Sequence, residues 1–268
     1  MRYDSFCKAI LQNYKEQGRT FAWRTSSDPY AILVSEFMLQ QTQTARVVAK
    51  YEQWLTQFPT VEDVAKASLS EVLSVWSGLG YNRRAKFLHE ACIEICKKYK
   101  GSVPQDVEEL DALPGIGPYT ARAIATFAFN QPHVFIETNI RSVYLHFFFS
   151  ETKEAVSDSQ LLPLIEKTLD KNNPRQWYYA LMDYGSELKK VTVNPSRKSA
   201  GYVKQSAFKG SLRQARGAIL RQLSQKKHIV LEEVSLVESI DMERLEKAAK
   251  ALCKEKMIQF KDGSYVID

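Results

Sequence analysis

Residues 113–128 read LPGIGPYTARAIATFA, a Gly-x-Gly turn followed directly by an alanine-rich helical pattern. Gly115 and Gly117 allow the tight or left-handed backbone geometry of a short turn, and a helix is predicted over Tyr119–Phe129. The N–H groups that open a helix point outward, and the helix dipole favours an anion there. The stretch therefore predicts two helices whose connecting turn holds a nucleic-acid phosphate, with an ordinary tight turn as the alternative.

Helical spacing of apolar residues extends outward from this stretch in both directions. The most apolar predicted helix is AILVSEFMLQQ at residues 31–41, and we expect it to be central. Thr60 and Ser68 each begin a capping-box pattern at the start of a short helix. Because strands are hard to find over residues 1–190, the sequence predicts a mainly α fold with one helical domain there.

The rest of the chain predicts a basic connector, residues 191–210, and a small α+β domain, residues 211–268. We expect the connector to be extended over Pro195–Gly210. Two helices are predicted in that domain, over Ser211–Ser224 and Asp241–Lys254. They are followed by MIQFKDGSYVID, in which Asp262-Gly263 between two β-like runs is a strong hairpin signal. This order resembles a winged helix, a module that binds DNA in many proteins and only other proteins in some.

Positive charge is concentrated in one segment of the chain. Overall, 37 Lys and Arg stand against 31 Asp and Glu, which is compatible with a polyanionic partner. From Lys171 to Lys227, however, 13 basic residues stand against two acidic ones. We interpret this segment as a strap that faces DNA phosphates through Lys198, Lys204 and Lys209. A solvated linker would have the same composition.

Several classes of protein are disfavoured by the composition. A hydrophobic content of 44% and a charged content of 25% are globular values. The N-terminus has no continuous apolar core and no run of 18 apolar residues occurs, so we expect a cytoplasmic protein without a membrane partner. Of the four cysteines only Cys92 and Cys96 are close in sequence. Two such ligands make a poor zinc site, and we expect no metal and no cofactor.

Two glutamates stand where a carboxylate could perform chemistry. Glu36 lies inside the apolar helix, where burial should raise its pKa and suit it to donate a proton. Its alternative role is an ion pair with Arg24 or Arg46. Glu137, in VFIETNIRSV, precedes Thr138-Asn139 at a predicted helix start. Thr138 or Asn139 is available to cap that helix, and the helix N-terminus should keep Glu137 ionised. A simple helix-start acid is the alternative there.

Taken together, these motifs resemble the helix-hairpin-helix DNA glycosylase superfamily, and within it the adenine glycosylases of the MutY type. WR, DPY, SEFMLQQTQ, WSGLGYNRRA, LPGIGPYTA and ETNIRSV follow one another over residues 21–146, and MDYG occupies residues 182–185. The resemblance covers roughly the first 190 residues. It implies two helical lobes with a base-binding cleft into which a nucleotide is flipped from the duplex.

The resemblance also implies roles for individual residues. Glu36 matches the general acid that protonates the leaving purine at N7. Glu137 stands where the family usually has Asp, the carboxylate that stabilises positive charge on the sugar and helps deliver water. Tyr119 occupies the position of the nucleophilic Lys of bifunctional relatives, which implies a monofunctional enzyme, and Asn139 matches a polar residue beside the catalytic carboxylate. Gln41 matches a glutamine that wedges into the base stack. The residues expected to contact DNA are Arg24, Gln40, Gln41, Gly115, Gly117, Thr120, Lys198, Lys204 and Lys209.

Four features depart from the family's pattern. The longer side chain of Glu137 moves the carboxylate by about one C–C bond, and angstrom-scale displacement can cost about 100-fold in rate. Relatives usually carry a four-cysteine iron–sulfur motif shortly after MDYG, whereas residues 186–210 contain no cysteine. The C-terminal segment is short and winged-helix-like instead of Nudix-like, and Asn82 replaces the second tyrosine of a Gly-Tyr-Tyr motif associated with adenine opposite 8-oxoguanine.

The expected function is that of a monofunctional, cluster-free DNA N-glycosylase, monomeric and nucleoid-associated, that acts on duplex DNA. Adenine in a mispair is the leading substrate, because Glu36 suits protonation of a purine leaving group. A glycosylase for thymine, uracil or another damaged base fits the same motifs. The alternative from a different class is a catalytically weak protein that binds DNA lesions, which Glu137 favours and Glu36 disfavours.

Overall fold

The computed structural model describes residues 3–203 and 207–267, and its regular elements are almost all helical. The helices are α1 (Tyr3–Gln17), α2 (Ala22–Thr25), α3 (Pro29–Leu39), α4 (Thr44–Gln57), α5 (Val61–Lys66), α6 (Leu69–Trp76), α7 (Arg83–Tyr99), α8 (Val107–Asp111), α9 (Pro118–Phe129), α10 (Thr138–Phe148), α11 (Asp158–Thr168), α12 (Pro174–Val191), α13 (Leu212–Leu223), α14 (Leu231–Glu238) and α15 (Met242–Lys254). A 3₁₀ turn spans Pro195–Lys198, and β1 (Gln259–Lys261) pairs antiparallel with β2 (Ser264–Val266). The predicted mainly α fold is confirmed. None of the helices in the described ranges is long and apolar enough to cross a lipid bilayer.

These elements form two compact units. The first consists of the described parts of Met1–Ile32, Gln105–Asp111 and Ile116–Lys204, and the second of those of Leu33–Pro104, Ala112–Gly115 and Gln205–Asp268. Each has its own buried core. The domain limits read from the sequence stay a prediction.

The core of the first unit is built on the packing of α10 and α1 against α12. Phe6 of α1 lies edge-on to Trp177 of α12 and to Phe147 of α10, with ring centroids 6.1 and 5.2 Å apart. Gly185 lets α12 approach the first turn of α10 closely, since a Cβ there would lie 2.3 Å from the carbonyl oxygen of Asn139. This close approach fixes the start of α10 against α12.

The core of the second unit contains two tryptophans from neighbouring helices. Trp54 of α4 and Trp76 of α6 are fully buried and meet edge-on at 5.7 Å. Both predicted capping boxes are present: Thr60 caps α5 and Ser68 caps α6, each bonding reciprocally with the third helical residue. An N-cap of this kind stabilises a helix by about 1 kcal/mol.

The connector predicted as extended is in part folded onto the first unit. Asn194 accepts a hydrogen bond from the N–H of Ser196, which starts the 3₁₀ turn Pro195–Lys198. Ser196 is buried, and its Oγ lies 2.6 Å from Oγ of Ser142 on α10. The prediction of a wholly extended connector was wrong because an Asn-Pro-Ser turn and a buried serine pair leave no trace in the spacing of apolar residues.

The C-terminal segment contains three described helices where the sequence predicted two. The additional one, α14, begins without a side-chain cap and contains β-branched valines, so helix signals are weak there. The predicted hairpin is confirmed. Asp262 and Gly263 both have positive φ, 48° and 77°, as a two-residue hairpin turn of type I′ requires. Ile229 forms a further antiparallel bridge to Tyr265.

Candidate functional site

In the glycine turn between α8 and α9, Gly115 has the left-handed backbone geometry that the sequence predicted. The φ of Gly115 is +75°, and a Cβ there would lie 2.4 Å from Cβ of Phe87, so no other residue fits without displacement. Gly115 is itself solvent-exposed, and the turn thus leaves main chain at the surface.

Gly117 is the N-cap of α9, and Pro118 begins the helix. A Cβ on Gly117 would meet no protein atom within 4 Å, so the glycine leaves open space beside the helix N-terminus. Thr120 in the first turn is buried, which places its side chain on the protein side of the helix. An anion could approach the open N-terminus at Gly117, where the helix dipole is favourable, but not the side chain of Thr120.

Glu137 lies at the predicted helix start, but it is itself the N-cap of α10, where the sequence had left the cap to Thr138 or Asn139. Its Oε1 accepts hydrogen bonds from the N–H groups of Asn139 and Ile140, at 2.6 and 2.8 Å. Its Oε2 accepts a third from Nδ2 of Asn139 at 3.2 Å. The carboxylate is therefore held in one orientation by main chain and side chain together.

Lys189 of α12 joins this cluster, and the sequence analysis assigned it no role there. Its Nζ donates to Oδ1 of Asn139 at 2.8 Å. Gly185 and Lys189 lie four residues apart, hence on the same face of α12. The close contact that Gly185 makes with the main chain of Asn139 thus carries Lys189 to the amide of the same residue. In this arrangement Asn139 links an ammonium group to the carboxylate of Glu137.

Two opposing effects act on the pKa of Glu137. Burial raises it above its usual value, against the opposing effect of the N–H groups of Asn139 and Ile140 and of the positive charges of Lys189 and Arg141. The expectation that Glu137 is ionised stays a prediction. Burial likewise lowers the pKa of Lys189, with Glu137 opposing the shift. Glu137 as a whole residue is half-buried.

Tyr119 lies in the first turn of α9 against an aromatic cluster of the same unit. Its ring is edge-on to Phe135 at 5.7 Å, and Phe135 stacks on Tyr178 at 3.9 Å. The side chain of Tyr119 is half-buried. A phenol anchored in this way presents no amine for attack on a sugar carbon.

Glu36 occupies the apolar helix as predicted. Every residue from Ala31 to Met38 is buried, and Glu36 is 9% exposed. Arg24, one of its predicted alternative partners, is bound instead to Asp183 of the MDYG motif by hydrogen bonds of 2.8 Å from both Nη atoms. The raised pKa expected of Glu36 remains a prediction.

Arg24 is a structural residue and not the exposed DNA contact that the sequence suggested. Its side chain is 6% exposed and also lies over the ring of Tyr179 at 4.5 Å. Burial alone would raise the pKa of Asp183, but hydrogen bonds and charge from Arg24 and Arg19 bring it below its usual value. The predicted phosphate contact of Arg24 does not fit this arrangement, because its guanidinium is already enclosed by Asp183.

The turn that carries Gln40 and Gln41 is held by a buried arginine. Arg84, from the motif GLGYNRRA, donates to Phe37 O, Met38 O, Gln40 O, Thr42 Oγ1 and Gly80 O at 2.6–3.1 Å. Burial lowers the pKa of Arg84 to about 10, so it stays charged at neutral pH. Gln41 follows the helix with a left-handed φ of 52° and an exposed side chain. The strained, fixed turn presents Gln41 outward, as a wedging residue requires.

The predicted lysines of the strap differ in their surroundings. Lys198 donates from Nζ to the main-chain oxygens of Phe149, at 3.1 Å, and Ser150, so its ammonium group is engaged at the end of α10. This does not fit a phosphate contact. Lys209 is exposed. Lys204 lies outside the described residues.

Sequence reasoning missed Arg84, Lys189 and Asp183 as positioning residues, although each lies within a stretch that it singled out. Arg84 is part of GLGYNRRA, Asp183 is part of MDYG and Lys189 belongs to the basic segment. A signal exists for Asp183 and Arg84, since a charged residue within an otherwise apolar helical pattern needs a partner. For Lys189 no local signal distinguishes it from Lys190.

The donor set of an iron–sulfur cluster is not present. The four cysteines of the chain lie in α1, α7 and α15, and residues 186–210 contain none. Within residues 3–203 and 207–267, no group of three His, Cys, Asp or Glu side chains is placed to hold a metal ion. The residues therefore do not fit the cluster that the family resemblance implies.

Comparison with known proteins gives consistent matches. A model of the HhH-GPD superfamily of base excision DNA repair proteins matches residues 34–166. The chain is 47% identical over 135 residues to the adenine DNA glycosylase of Mycobacterium tuberculosis, covering 50% of this chain and 44% of that protein. It is 34% identical over 193 residues to the adenine DNA glycosylase of Homo sapiens, covering 68% of this chain and 35% of that protein. The chain thus spans less than half the length of these curated relatives.

Two solved structures resemble most of the chain. A thermostable thymine-DNA glycosylase superposes with a TM-score of 0.66 at 26% identity, covering 74% of this chain and 92% of that one. A trapped covalent intermediate of endonuclease III with DNA superposes with a TM-score of 0.55 at 21% identity, covering 70% of this chain and 86% of that one. Because the identity to endonuclease III is only 21%, this similarity is evidence for the fold alone.

Proposed function

Because the chain belongs to the HhH-GPD superfamily of base excision DNA repair proteins, we propose that it is a monofunctional DNA N-glycosylase that removes adenine from a mispair in duplex DNA. The observation that carries this proposal is the fixed carboxylate of Glu137, held by three hydrogen bonds at the start of α10 with Lys189 behind Asn139. The names of the relatives, adenine DNA glycosylases, support adenine as the base.

The chemistry divides between two carboxyl groups. Glu36 donates its proton to N7 of adenine, and the bond between C1′ and N9 breaks with its electron pair passing to the base. Glu137, in its ionised form, stabilises the positive charge that develops on the sugar. Water then adds to C1′ and loses a proton, which leaves free adenine and an abasic site. The anchored position of Glu137 matters because its charge must be aligned before the bond breaks.

DNA is held by groups that require no base sequence. In the first unit the open helix N-terminus at Gly117 suits a phosphate. In the second unit the main chain of Gly115 and the side chain of Lys209 are exposed, and Lys209 provides positive charge. Gln41, presented on its left-handed turn, is the candidate wedge that enters the base stack when the nucleotide flips.

The proposal is tested with a panel of labelled duplexes, each carrying one mispair or one damaged base, followed by alkali cleavage of abasic sites. We expect cleavage at adenine opposite guanine or 8-oxoguanine only after alkali or heat, and no covalent adduct on borohydride reduction, because Tyr119 replaces an amine nucleophile. An efficiently trapped adduct would contradict the monofunctional assignment. Inactivity on the whole panel, together with preferential binding to a mispair, would favour the lesion-binding alternative.

Thymine opposite guanine is the second candidate substrate. The observation that favours it is the similarity to a thymine-DNA glycosylase over 92% of that chain. The same panel separates the two candidates, because it shows which base is removed. Thymine also has no N7 to protonate. Excision of thymine should therefore be less dependent on Glu36 than excision of adenine.

A further inference from the structure

We propose that Arg213 of α13 is a positioning residue for Tyr81, so that the C-terminal segment sets the geometry of the loop that inspects the mispair. The inference rests on the proposed function, because Tyr81 belongs to the half-retained Gly-Tyr-Tyr motif. It gives the small C-terminal segment a task other than holding the DNA backbone.

The loop between α6 and α7, residues 77–82, has an unusual conformation. Gly78 and Gly80 have φ of +96° and +72°, and Tyr81 has φ of +48°, a left-handed value that a bulky aromatic residue rarely adopts. Such a conformation persists only where surrounding contacts impose it. The main chain is fixed at the carbonyl of Gly80, which accepts hydrogen bonds from Nε1 of Trp76 at 3.0 Å and from Nη2 of Arg84 at 3.1 Å.

The side chain of Tyr81 is fixed separately, by the C-terminal segment. Nη1 of Arg213 donates to the hydroxyl oxygen of Tyr81 at 2.9 Å. The guanidinium carbons of Arg213 and Arg84 lie 5.9 and 5.5 Å from the centre of its ring. Helix α13 also packs against α6, the helix that leads into the loop, so the bond rests on a wider contact within the second unit. Both Tyr81 and Arg213 are half-buried, which leaves the ring accessible.

This arrangement connects the turn that carries Gln41 with the loop that carries Tyr81, and we assign both to recognition of the mispair. Arg84 holds the turn of Gln41 and the carbonyl of Gly80 at once, and Arg213 then orients the ring of Tyr81. A side chain that is ordered before DNA binds loses less conformational entropy on binding, which favours affinity and discrimination. Loss of Arg213 should therefore weaken recognition of the mispair without affecting the chemistry at Glu137.

The test is a double-mutant cycle in the full-length chain with Arg213→Ala and Tyr81→Phe, which removes only the hydroxyl group that Arg213 binds. Single-turnover excision of adenine opposite guanine and opposite 8-oxoguanine is measured, along with the ratio of Kd for matched and mispaired duplexes. Arg221→Ala, on the same helix but paired with Glu238, is the matched control. Melting temperatures show whether each variant folds.

We expect Arg213→Ala to lower mispair discrimination by about tenfold with a melting temperature close to that of the wild type. Tyr81→Phe should have a similar effect, the double variant should be no worse than either, and Arg221→Ala should behave as wild type. Additive effects of Arg213→Ala and Tyr81→Phe, or equal behaviour of Arg213→Ala and Arg221→Ala, would overturn the inference. A wild type that excises nothing would overturn the proposed function instead, and the ratio of Kd values would then still decide the role of Arg213.

Discussion

Lys189 and Glu137 are linked through a single residue, Asn139, whose amide accepts from the lysine ammonium at 2.8 Å and donates to the carboxylate at 3.2 Å. The two charged groups thus influence each other without direct contact. Each opposes the pKa shift that burial imposes on the other. The only other cation that affects Glu137 in this way within the described residues is Arg141, which is itself paired with Asp158.

Lys189→Gln should make excision more sensitive to acid. Removal of the positive charge raises the pKa of Glu137 further, so a higher pH is needed to ionise it. We expect the acidic limb of the pH–rate profile to move to higher pH. The loss of rate should be largest at low pH and narrow as the pH rises, and on that limb it amounts to about tenfold for each unit by which the pKa shifts. Single-turnover rates across the pH range measure this.

Two variants control this prediction. Lys189→Arg keeps the charge and should keep the wild-type profile, whereas Lys190→Gln removes a charge from the neighbouring, surface-paired lysine and should have no effect. A uniform loss at every pH in both Lys189 variants would indicate that the lysine supports only the packing of α12.

Glu137→Asp, which restores the residue usual in the family, should fold normally and excise adenine about 100-fold more slowly. Asp also caps helices well, so stability is preserved. The shorter side chain, however, cannot place the carboxylate where it accepts hydrogen bonds from both the N–H and the Nδ2 of Asn139. Thermal melting and single-turnover rates are compared with those of Glu154→Asp, the same change at an exposed site. An increase in rate would show instead that the longer side chain is merely tolerated.

Asp183→Asn should lower the free energy of unfolding by about 3–5 kcal/mol, because it leaves the buried guanidinium of Arg24 without its counter-charge. The pKa of Asp183 is depressed below 3.8 in the folded state, so its contribution is present above that pH and is lost as the pH falls through the folded value. Wild-type stability should therefore fall more steeply in acid than that of the variant. Chemical denaturation at neutral and acidic pH measures both effects, with Asp111→Asn as the exposed control.

How far the sequence predicted the molecule depends on the range of the interactions involved. The capping boxes at Thr60 and Ser68 and the hairpin at Asp262-Gly263 are local, and they were confirmed. The helix start after Glu137 was also confirmed, although Glu137 caps it in place of Thr138 or Asn139. The link from Lys189 to Asn139 requires the close approach of two helices at a glycine, which no local pattern reveals.

Burial explains the remaining differences. At Glu137 the sequence shows the helix N-terminus, a local effect that favours the ionised form, but not the desolvation that raises the pKa of the carboxyl group, which depends on the whole unit. Arg24 and Lys198 were expected at the DNA surface because they are basic, yet their charged groups are taken up by Asp183 and by main-chain oxygens. A basic residue in a sequence indicates that a group of opposite charge or a hydrogen-bond acceptor is needed. Only the folded structure shows whether that group belongs to the protein or to DNA.

Duplex binding should depend steeply on salt, with part of the dependence arising from the basic strap. Lys209→Ala should reduce the slope of log affinity against log salt by about 1, and the pair Lys204→Ala, Lys209→Ala by about 2, as each lost phosphate contact releases one fewer counterion. Titrations at several salt concentrations measure the slope, with Lys66→Ala as the exposed control. A slope unchanged in the double variant would place the strap away from the DNA.

Glu36→Gln should abolish excision while leaving binding to the mispair intact. Glutamine has nearly the same size and fits the same site on α3, but its amide cannot supply the proton that N7 of adenine needs. We expect the single-turnover rate to fall by about 10²–10⁴-fold, the usual contribution of a general acid, with Kd for the mispaired duplex within about threefold of wild type. Glu52→Gln, the same change at an exposed position of α4, is the matched control and should keep the full rate. Equal loss of rate and affinity in Glu36→Gln would mean that the buried carboxyl supports the fold of the helix and not the chemistry, and retention of the full rate would require another proton donor.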